Sequence, residues 1–375
     1  ADRIVVDYDE KLNPYLNYPF PSEEMLLEAI EKLHAADKEV QFVIGVREIP
    51  YQINEFWPLW SLDNEIFTYG TGLSGVQQEH GFNYARKPIP FIGNPWLCEH
   101  LGKGYSSSWR TTNIEGDDVV TLAINPLSRW QNFYLETVRY LLETLQVDGI
   151  RTDLTDRRVT QRLRVLLDEV SPGVTLDTIT GNNFRPENGM INPMAQYLES
   201  LPFVDSIVFA DGFSYGAGPD YYLVELSGVP FGVNTSFYGD QPYKSLLYGS
   251  LPQMHKADMG LESLWRFCDS FRLSESDFTG YWERPAPVEI ENKDILVSVY
   301  KRGLQALLVV VNWGNLDWNL TLGPKDITRL GLNPERSLIG IPEIAGLQRE
   351  SKPSAIFVHT LARSEGALVL IQEKR

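Results

Sequence analysis

The run Val147-Asp148-Gly149-Ile150-Arg151-Thr152-Asp153 carries the densest chemistry in the chain. An apolar strand that ends in Asp153 and holds Arg151 two residues earlier puts a guanidinium and a carboxylate on one face, because strand side chains alternate. Attraction and hydrogen bonding from Arg151 would keep Asp153 ionised. A permanently charged carboxylate suits a nucleophile or a stabiliser of oxocarbenium charge. A second carboxylate, to deliver a proton, is expected from a neighbouring strand, and Ile207-Val208-Phe209-Ala210-Asp211-Gly212 supplies one. Phe209, Phe213 and Tyr215 would desolvate Asp211 and raise its pKa, as a general acid requires. Glu225 competes for that role, since an isolated Glu within an apolar strand is costly to bury without a task or a partner. The same residues also admit structural roles: an Arg–Asp pair closing a strand end, Asp153 capping the next helix, Asp211 as a turn residue before Gly212, or Glu225 in a salt bridge.

Around these carboxylates stand groups that could bind hydroxyls. Arg47-Glu48 closes the expected strand 40–46, and Glu99-His100 follows the aromatic loop 91–97; Arg151, Asp177 and Asn182 fall at other strand ends. Nine Trp, eighteen Tyr and seventeen Phe supply many loop aromatics, among them Phe56, Trp57, Trp60, Trp96, Tyr105, Trp109, Phe213, Tyr215, Tyr221 and Tyr222. Sugar rings stack their C–H faces on aromatics while their hydroxyls need carboxylate and amide partners, so a carbohydrate is the favoured ligand, with Trp109 and Tyr215 among its contacts. The alternative is that long loops use these aromatics as satellite cores. Five histidines without metal-ligand spacing, and Cys98 and Cys268 without zinc spacing, suggest neither a metal site nor a disulfide framework. No Gly-x-Gly-x-x-Gly loop, phosphate loop or Gly-x-Ser-x-Gly elbow follows a strand, so no cofactor is expected, and nucleotide enzymes and serine hydrolases fall from the front rank.

The elements that must position these residues alternate short β-branched runs with longer helical patterns. Strands are expected at 4–8, 40–46, 119–124, 149–153, 175–180 and 206–210, with a seventh at 222–233, and helices at 128–145 and 157–169. Such alternation signals parallel βα units and a (β/α)8-type, TIM-like barrel, with chemistry at the carboxyl ends of its strands. After Trp282 the helix signal fades. Strands expected at 295–300, 306–312, 318–322, 355–359 and 367–372 predict a small all-β sandwich. The expected division is a barrel domain over 1–285 and a β-sandwich domain over 286–375.

Length and composition bound the partners. A chain of 375 residues can bury a large core. It has no apolar run near the ~18 residues that span a bilayer, so membrane insertion is not expected. Thirty-three basic against fifty acidic side chains leave a net charge of −17, which repels phosphate backbones, so nucleic acid is a poor partner. The chain starts at Ala1 without a basic and apolar leader, so any targeting segment is expected to lie outside this sequence. The cysteines and two Asn-x-Ser/Thr sites, at Asn234 and Asn319, do not decide a compartment. A secreted or periplasmic location is favoured over a cytoplasmic one, and oligomeric state is open.

One ordered set of short motifs is familiar. It comprises Asn13-Pro14-Tyr15-Leu16-Asn17-Tyr18-Pro19-Phe20, Val46-Arg47-Glu48, Ser61-Leu62-Asp63-Asn64-Glu65-Ile66-Phe67, Trp96-Leu97-Cys98-Glu99-His100, Ser128-Arg129-Trp130, Asp148-Gly149-Ile150 with Asp153, Asp156-Arg157, and Leu223-Val224-Glu225-Leu226-Ser227-Gly228-Val229-Pro230-Phe231-Gly232. This set resembles a group of bacterial glycoside-hydrolase-like, polysaccharide-utilisation proteins with a family-123-like N-terminal module, over about residues 10–315. The resemblance implies a (β/α)-barrel hydrolase of glycosidic bonds followed by a β-sandwich. Arg151-Thr152-Asp153 is also similar to the Arg-x-Asp that carries the nucleophile in the α-amylase superfamily. Departures are Ala210-Asp211 where the group has Gly-Glu, and Thr178–Gly181 where it has His-Ser before the Asn; the shorter Asp211 strengthens Glu225 as the acid. Group members are longer, so a barrel incomplete at its N-terminus is expected. The reading is a glycoside hydrolase acting through a carboxylate pair with retention; a non-catalytic carbohydrate-binding protein on a degenerate barrel and a transglycosylase are the alternatives.

Overall fold

The computed structural model describes residues 3–9, 11–67, 73–74, 109–110, 119–122, 128–153, 157–179, 198–209, 213, 216–230, 232–238, 242–253 and 260–374. Its internal contacts divide the chain into two units, residues 1–215 with 225–234 and residues 216–224 with 235–375.

In the first unit the strands Arg3–Val6, Glu39–Val43, Gly149–Asp153, Thr175–Ile179 and Ser206–Phe209 lie side by side in that order, all parallel. Parallel neighbours need crossovers, and helices supply them. Glu23–Ala35 has Glu23 and Glu24 in its first turn and Lys32 and His34 in its last, complementing the helix dipole. Trp130–Glu143 buries Trp130, Tyr134, Val138, Leu141 and Leu142, one stripe of a 3.6-residue repeat. Arg157–Val170 buries Val159, Leu163, Leu166 and Leu167. This is the half-barrel pattern of a TIM-type α/β domain, as the alternation of runs predicts.

Two expected parallel strands are corrected. Val119–Thr121 pairs antiparallel with Glu48–Pro50, so it forms a small separate ladder, and Glu39–Val43 lies directly beside Gly149–Asp153. The segment 222–233 carries the helix Pro219–Ser227 instead of a strand. Pro219 at the helix start and Asp220 in the first turn favour the helix, and Gly228 follows its end. Glu225 therefore sits on a helix.

In the second unit the strands Asn234–Tyr238 and Leu251–Gln253 pair in parallel around the helix Pro242–Leu247. Five antiparallel strands follow in the order Asp277–Thr279, Ile295–Arg302, Gln305–Asn312, Gly366–Glu373 and Ser337–Gly340, and Trp318–Leu322 pairs with Phe357–Leu361 as a second, two-stranded layer. Between the layers Val297, Val299, Leu308, Val310, Val369 and Ile371 meet Leu320, Leu322, Phe357 and Leu361 in one core. The other face of the large sheet is fastened to the helix Pro242–Leu247: Ser298 Oγ donates to the Leu247 carbonyl (2.6 Å) and the Tyr300 hydroxyl to that of Leu246 (2.8 Å). Cover on both faces explains why every residue of Ile295–Tyr300 is buried instead of every second one. The expected β-sandwich is present, with Asp277–Thr279 and Ser337–Gly340 as strands that the sequence pattern did not signal.

Candidate active site

Register places Gln41, Arg151, Thr175, Asp177 and Ser206 on one face of the parallel sheet. Gln41 pairs with Gly149 and Gly149 with Thr175; one rung on, Val43, Arg151, Asp177 and Ser206 stand abreast. The alternate positions Phe42, Ile150, Leu176 and Ile207 are fully buried and apolar, the face that packs under helices. The opposite face is polar. Arg151 and Asp177 form an ion pair at 3.6 Å with side chains only 8% and 6% exposed, and Arg3 reaches the same Asp177 oxygen at 3.9 Å while holding Glu39 at 2.7 Å. A Cβ on Gly149 would stand 2.6 Å from Thr175 Oγ1 and 3.2 Å from the Gln41 side chain, so close approach requires glycine here.

Asp153 ends its strand two residues beyond Arg151 and opposite Ile179, at the carboxyl end where barrel chemistry sits. Its side chain lies outside the described residues. Among the described residues the carboxylate that Arg151 pairs with is Asp177, so these two candidates for hydroxyl binding are engaged with each other in the sheet.

The loop 44–48, which follows the strand Glu39–Val43, is held from several sides. Ile44 N donates to Arg151 O (2.9 Å), and Leu122 N donates to Arg47 O (2.7 Å). The Tyr134 hydroxyl donates to Ile44 O (3.1 Å), and Trp130 Nε1 to Val46 O (2.6 Å). Asn17 closes the ring of contacts: its Oδ1 accepts from Gly45 N (2.5 Å) and the Tyr8 hydroxyl (2.7 Å), and its Nδ2 donates to Glu48 O (2.8 Å). With its backbone so pinned, this segment carries Arg47 and Glu48, a donor and an acceptor at consecutive positions, both half-buried.

Electrostatics around the neighbouring loops follow from the same contacts. Asp9 accepts from the Lys11 and Leu12 amides (2.9 and 3.0 Å), which lower its pKa. Burial and a hydrogen bond to Glu55 Oε2 (2.7 Å) push the Tyr18 phenol up to about 12. Glu65 takes Arg129 Nε on one oxygen (2.7 Å) and Nη2 on the other (2.5 Å), and those hydrogen bonds, with one from the Arg129 amide, hold its carboxyl down at about 2. Asn17, Trp130 and the Glu65–Arg129 pair were not read as functional from sequence, although all lie in the quoted motifs; a motif shows neither its partner nor its direction.

Other candidates divide cleanly. Glu99, His100, Asn182, Asp211 and Tyr215, and the side chain of Trp109, lie outside the described residues. Glu225 is fully buried on the helix Pro219–Ser227. Several loop aromatics make local cores: Phe56 and Phe67 are buried and meet at 5.7 Å, Phe209 and Phe213 meet at 5.1 Å, and Tyr222 stacks on Tyr248 at 4.9 Å. Trp57 is half exposed. Cys268 is buried, its thiol pushed up to about 12 by desolvation. Among the described residues no cluster of His, Cys, Asp or Glu could hold a metal ion, and no helix is long and apolar enough to cross a membrane.

Comparisons with known proteins bear on this arrangement. Comparison with curated protein sequences gives no match. Among solved structures the chain is similar to an Anoxybacillus alpha-amylase (TM-score 0.56, 10% identity, 94% of this chain and 80% of that one). It is also similar to the alpha-amylase from Geobacillus thermoleovorans complexed with acarbose (0.55, 12%, 100% and 89%) and to the alpha-amylase from H.orenii (0.53, 13%, 98% and 86%). At such identities the likeness shows a shared fold. The model of the glycoside hydrolase 123 TIM-barrel domain matches residues 1–255, and that of the glycoside hydrolase 123 C-terminal domain matches 261–372. Matched over nearly its whole length by these two domains, the chain belongs to glycoside hydrolase family 123 and is a glycoside hydrolase of TIM-barrel type.

Proposed function

We propose that the protein hydrolyses glycosidic bonds of a poly- or oligosaccharide with retention of configuration, Asp153 serving as nucleophile or as stabiliser of oxocarbenium charge. The observation that carries this reading is the position of Asp153 at the carboxyl end of a central parallel strand in a glycoside hydrolase barrel, with the half-buried Arg47–Glu48 pair held on the loop after the adjacent strand. A guanidinium donor and a carboxylate acceptor suit sugar hydroxyls, each of which both donates and accepts. Asp211 is the proposed proton donor, and Glu225 is the alternative.

The test is a panel of polysaccharides and aryl glycosides, with NMR used to identify the anomer released first. Release of the starting anomer supports retention. The opposite anomer would replace the proposed double displacement with a single one. The acid is identified by leaving group: loss of the true donor, through Asp211→Asn or Glu225→Gln, spares aryl glycosides whose leaving phenolate needs no proton and abolishes turnover of natural glycans. No hydrolysis of any glycan by the intact protein would overturn the proposal.

A further inference from the structure

We infer that Asn17 is the positioning residue of the site: it fixes the loop 44–48 and thereby the spacing of Arg47 and Glu48. The inference rests on the reading of that pair as sugar-hydroxyl binders. Asn17 is 7% exposed, and φ of 58° places it in the left-handed region, which Asn tolerates better than most residues. Its amide spends both acceptor positions and one donor on three partners in two segments of the chain. Oδ1 takes the Tyr8 hydroxyl (2.7 Å), just beyond the strand Arg3–Val6, and Gly45 N (2.5 Å), while Nδ2 reaches Glu48 O (2.8 Å). Gly45 and Glu48 bracket Arg47. One side chain thus grips the loop on either side of Arg47 and ties it to the end of the neighbouring strand. Two further side chains hold the same loop from the helix Trp130–Glu143: Trp130 binds Val46 O and Tyr134 binds Ile44 O.

The chemistry of the grip predicts graded variants. Asn17→Gly keeps the left-handed backbone free of strain and deletes the amide. Asn17→Asp keeps the acceptor for Gly45 N and the Tyr8 hydroxyl, loses the donor to Glu48 O and sets a carboxylate oxygen against that carbonyl. Hydrogen exchange followed by mass spectrometry on the free protein reads the grip without any substrate. In Asn17→Gly the peptide containing residues 44–48 should exchange about tenfold faster, the effect of losing one to two net hydrogen bonds, while strands 149–153 and 175–179 keep their wild-type rates; Asn17→Asp, which keeps the Gly45 N contact, should fall between the two. On whichever glycan the wild type cleaves, Asn17→Gly should raise KM about tenfold and leave kcat within about twofold, since the pair binds hydroxyls and transfers no proton. Unchanged exchange at 44–48, or acceleration spread evenly over the sheet, would overturn the positioning role. Faster exchange with an unmoved KM would overturn its link to substrate. A wild type that cleaves no glycan defeats the hydrolase reading and leaves the exchange data to judge Asn17.

Discussion

Removing the carboxylate of Asp177 should strand the Arg151 guanidinium within the sheet. Arg151 and Asp177 are both more than nine-tenths buried at 3.6 Å, so at an effective dielectric of about 20 their gross attraction is about 4–5 kcal/mol. Most of that attraction offsets the desolvation of the two ions, so the pair adds little net stability, but breaking it leaves Arg151 buried and uncompensated at a cost of about 3–5 kcal/mol. Arg3 contributes less, because it is 32% exposed and keeps Glu39 at 2.7 Å. Asp177→Ala should therefore lower Tm by roughly 10 °C, taking about 2–4 °C per kcal/mol for a unit of this size. The double variant Arg151→Met/Asp177→Leu fills the same space with apolar groups and should recover to within about 1–2 kcal/mol of wild type. Scanning calorimetry on wild type, Arg151→Met, Asp177→Leu and the double variant closes the cycle, and the coupling should exceed about 2 kcal/mol. A drop below about 2 °C for Asp177→Ala, or single effects that simply add in the double variant, would refute the reasoning and imply that water reaches the pair.

Other consequences follow from named contacts. The Glu65 carboxyl is held at about 2 in the folded chain against an ordinary 4.5, so the Glu65–Arg129 pair supports folding above pH 4.5 and loses that support as pH falls toward 2; the Tm difference between wild type and Glu65→Gln should shrink over that window and stay constant from pH 5 to 8. Asn312 is fully buried, donates to the Leu316, Leu361 and Ala362 carbonyls and accepts from Gly314 N, so Asn312→Ala should destabilise the β-sandwich by about 2–4 kcal/mol in urea titration followed by tryptophan fluorescence. Gly149→Ala should cost roughly 1–3 kcal/mol by overpacking against Thr175 and Gln41, and the paired change Thr175→Ala should relieve much of it, again read by calorimetry.

The parallel strands were legible because β-branched runs with turns on both sides have few other stable solutions: 149–153 coincides with Gly149–Asp153, and 206–210 differs from Ser206–Phe209 by one residue. The helix Trp130–Glu143 was readable from its 3.6-residue stripe for the same reason. Pairing partners were not readable. Val119–Thr121 has the composition of a barrel strand, yet three residues cannot say whether they join a parallel sheet or, as here, an antiparallel ladder with Glu48–Pro50. The helix Pro219–Ser227 was missed because Tyr222, Leu223, Val224 and Leu226 look strand-like, and the Pro219–Asp220 start was the signal that outweighs them. For the site, Arg151 was rightly placed two residues before the strand end, but its buried partner Asp177 comes from the next strand, a long-range pairing no local pattern specifies. Asn17 stood in a quoted motif without a role, since its hydrogen bonds reach residues 28 and 31 positions away.

Turnover by Asp153→Asn, measured on the best-cleaved glycan beside a thermal melt, bears most directly on the mechanism. Loss of the carboxylate charge with the same shape should cut kcat by about a thousandfold or more, the scale on which removing a nucleophile acts, with a melting profile that overlays the wild type. Turnover at the wild-type rate would remove Asp153 from the reaction and the proposed chemistry with it.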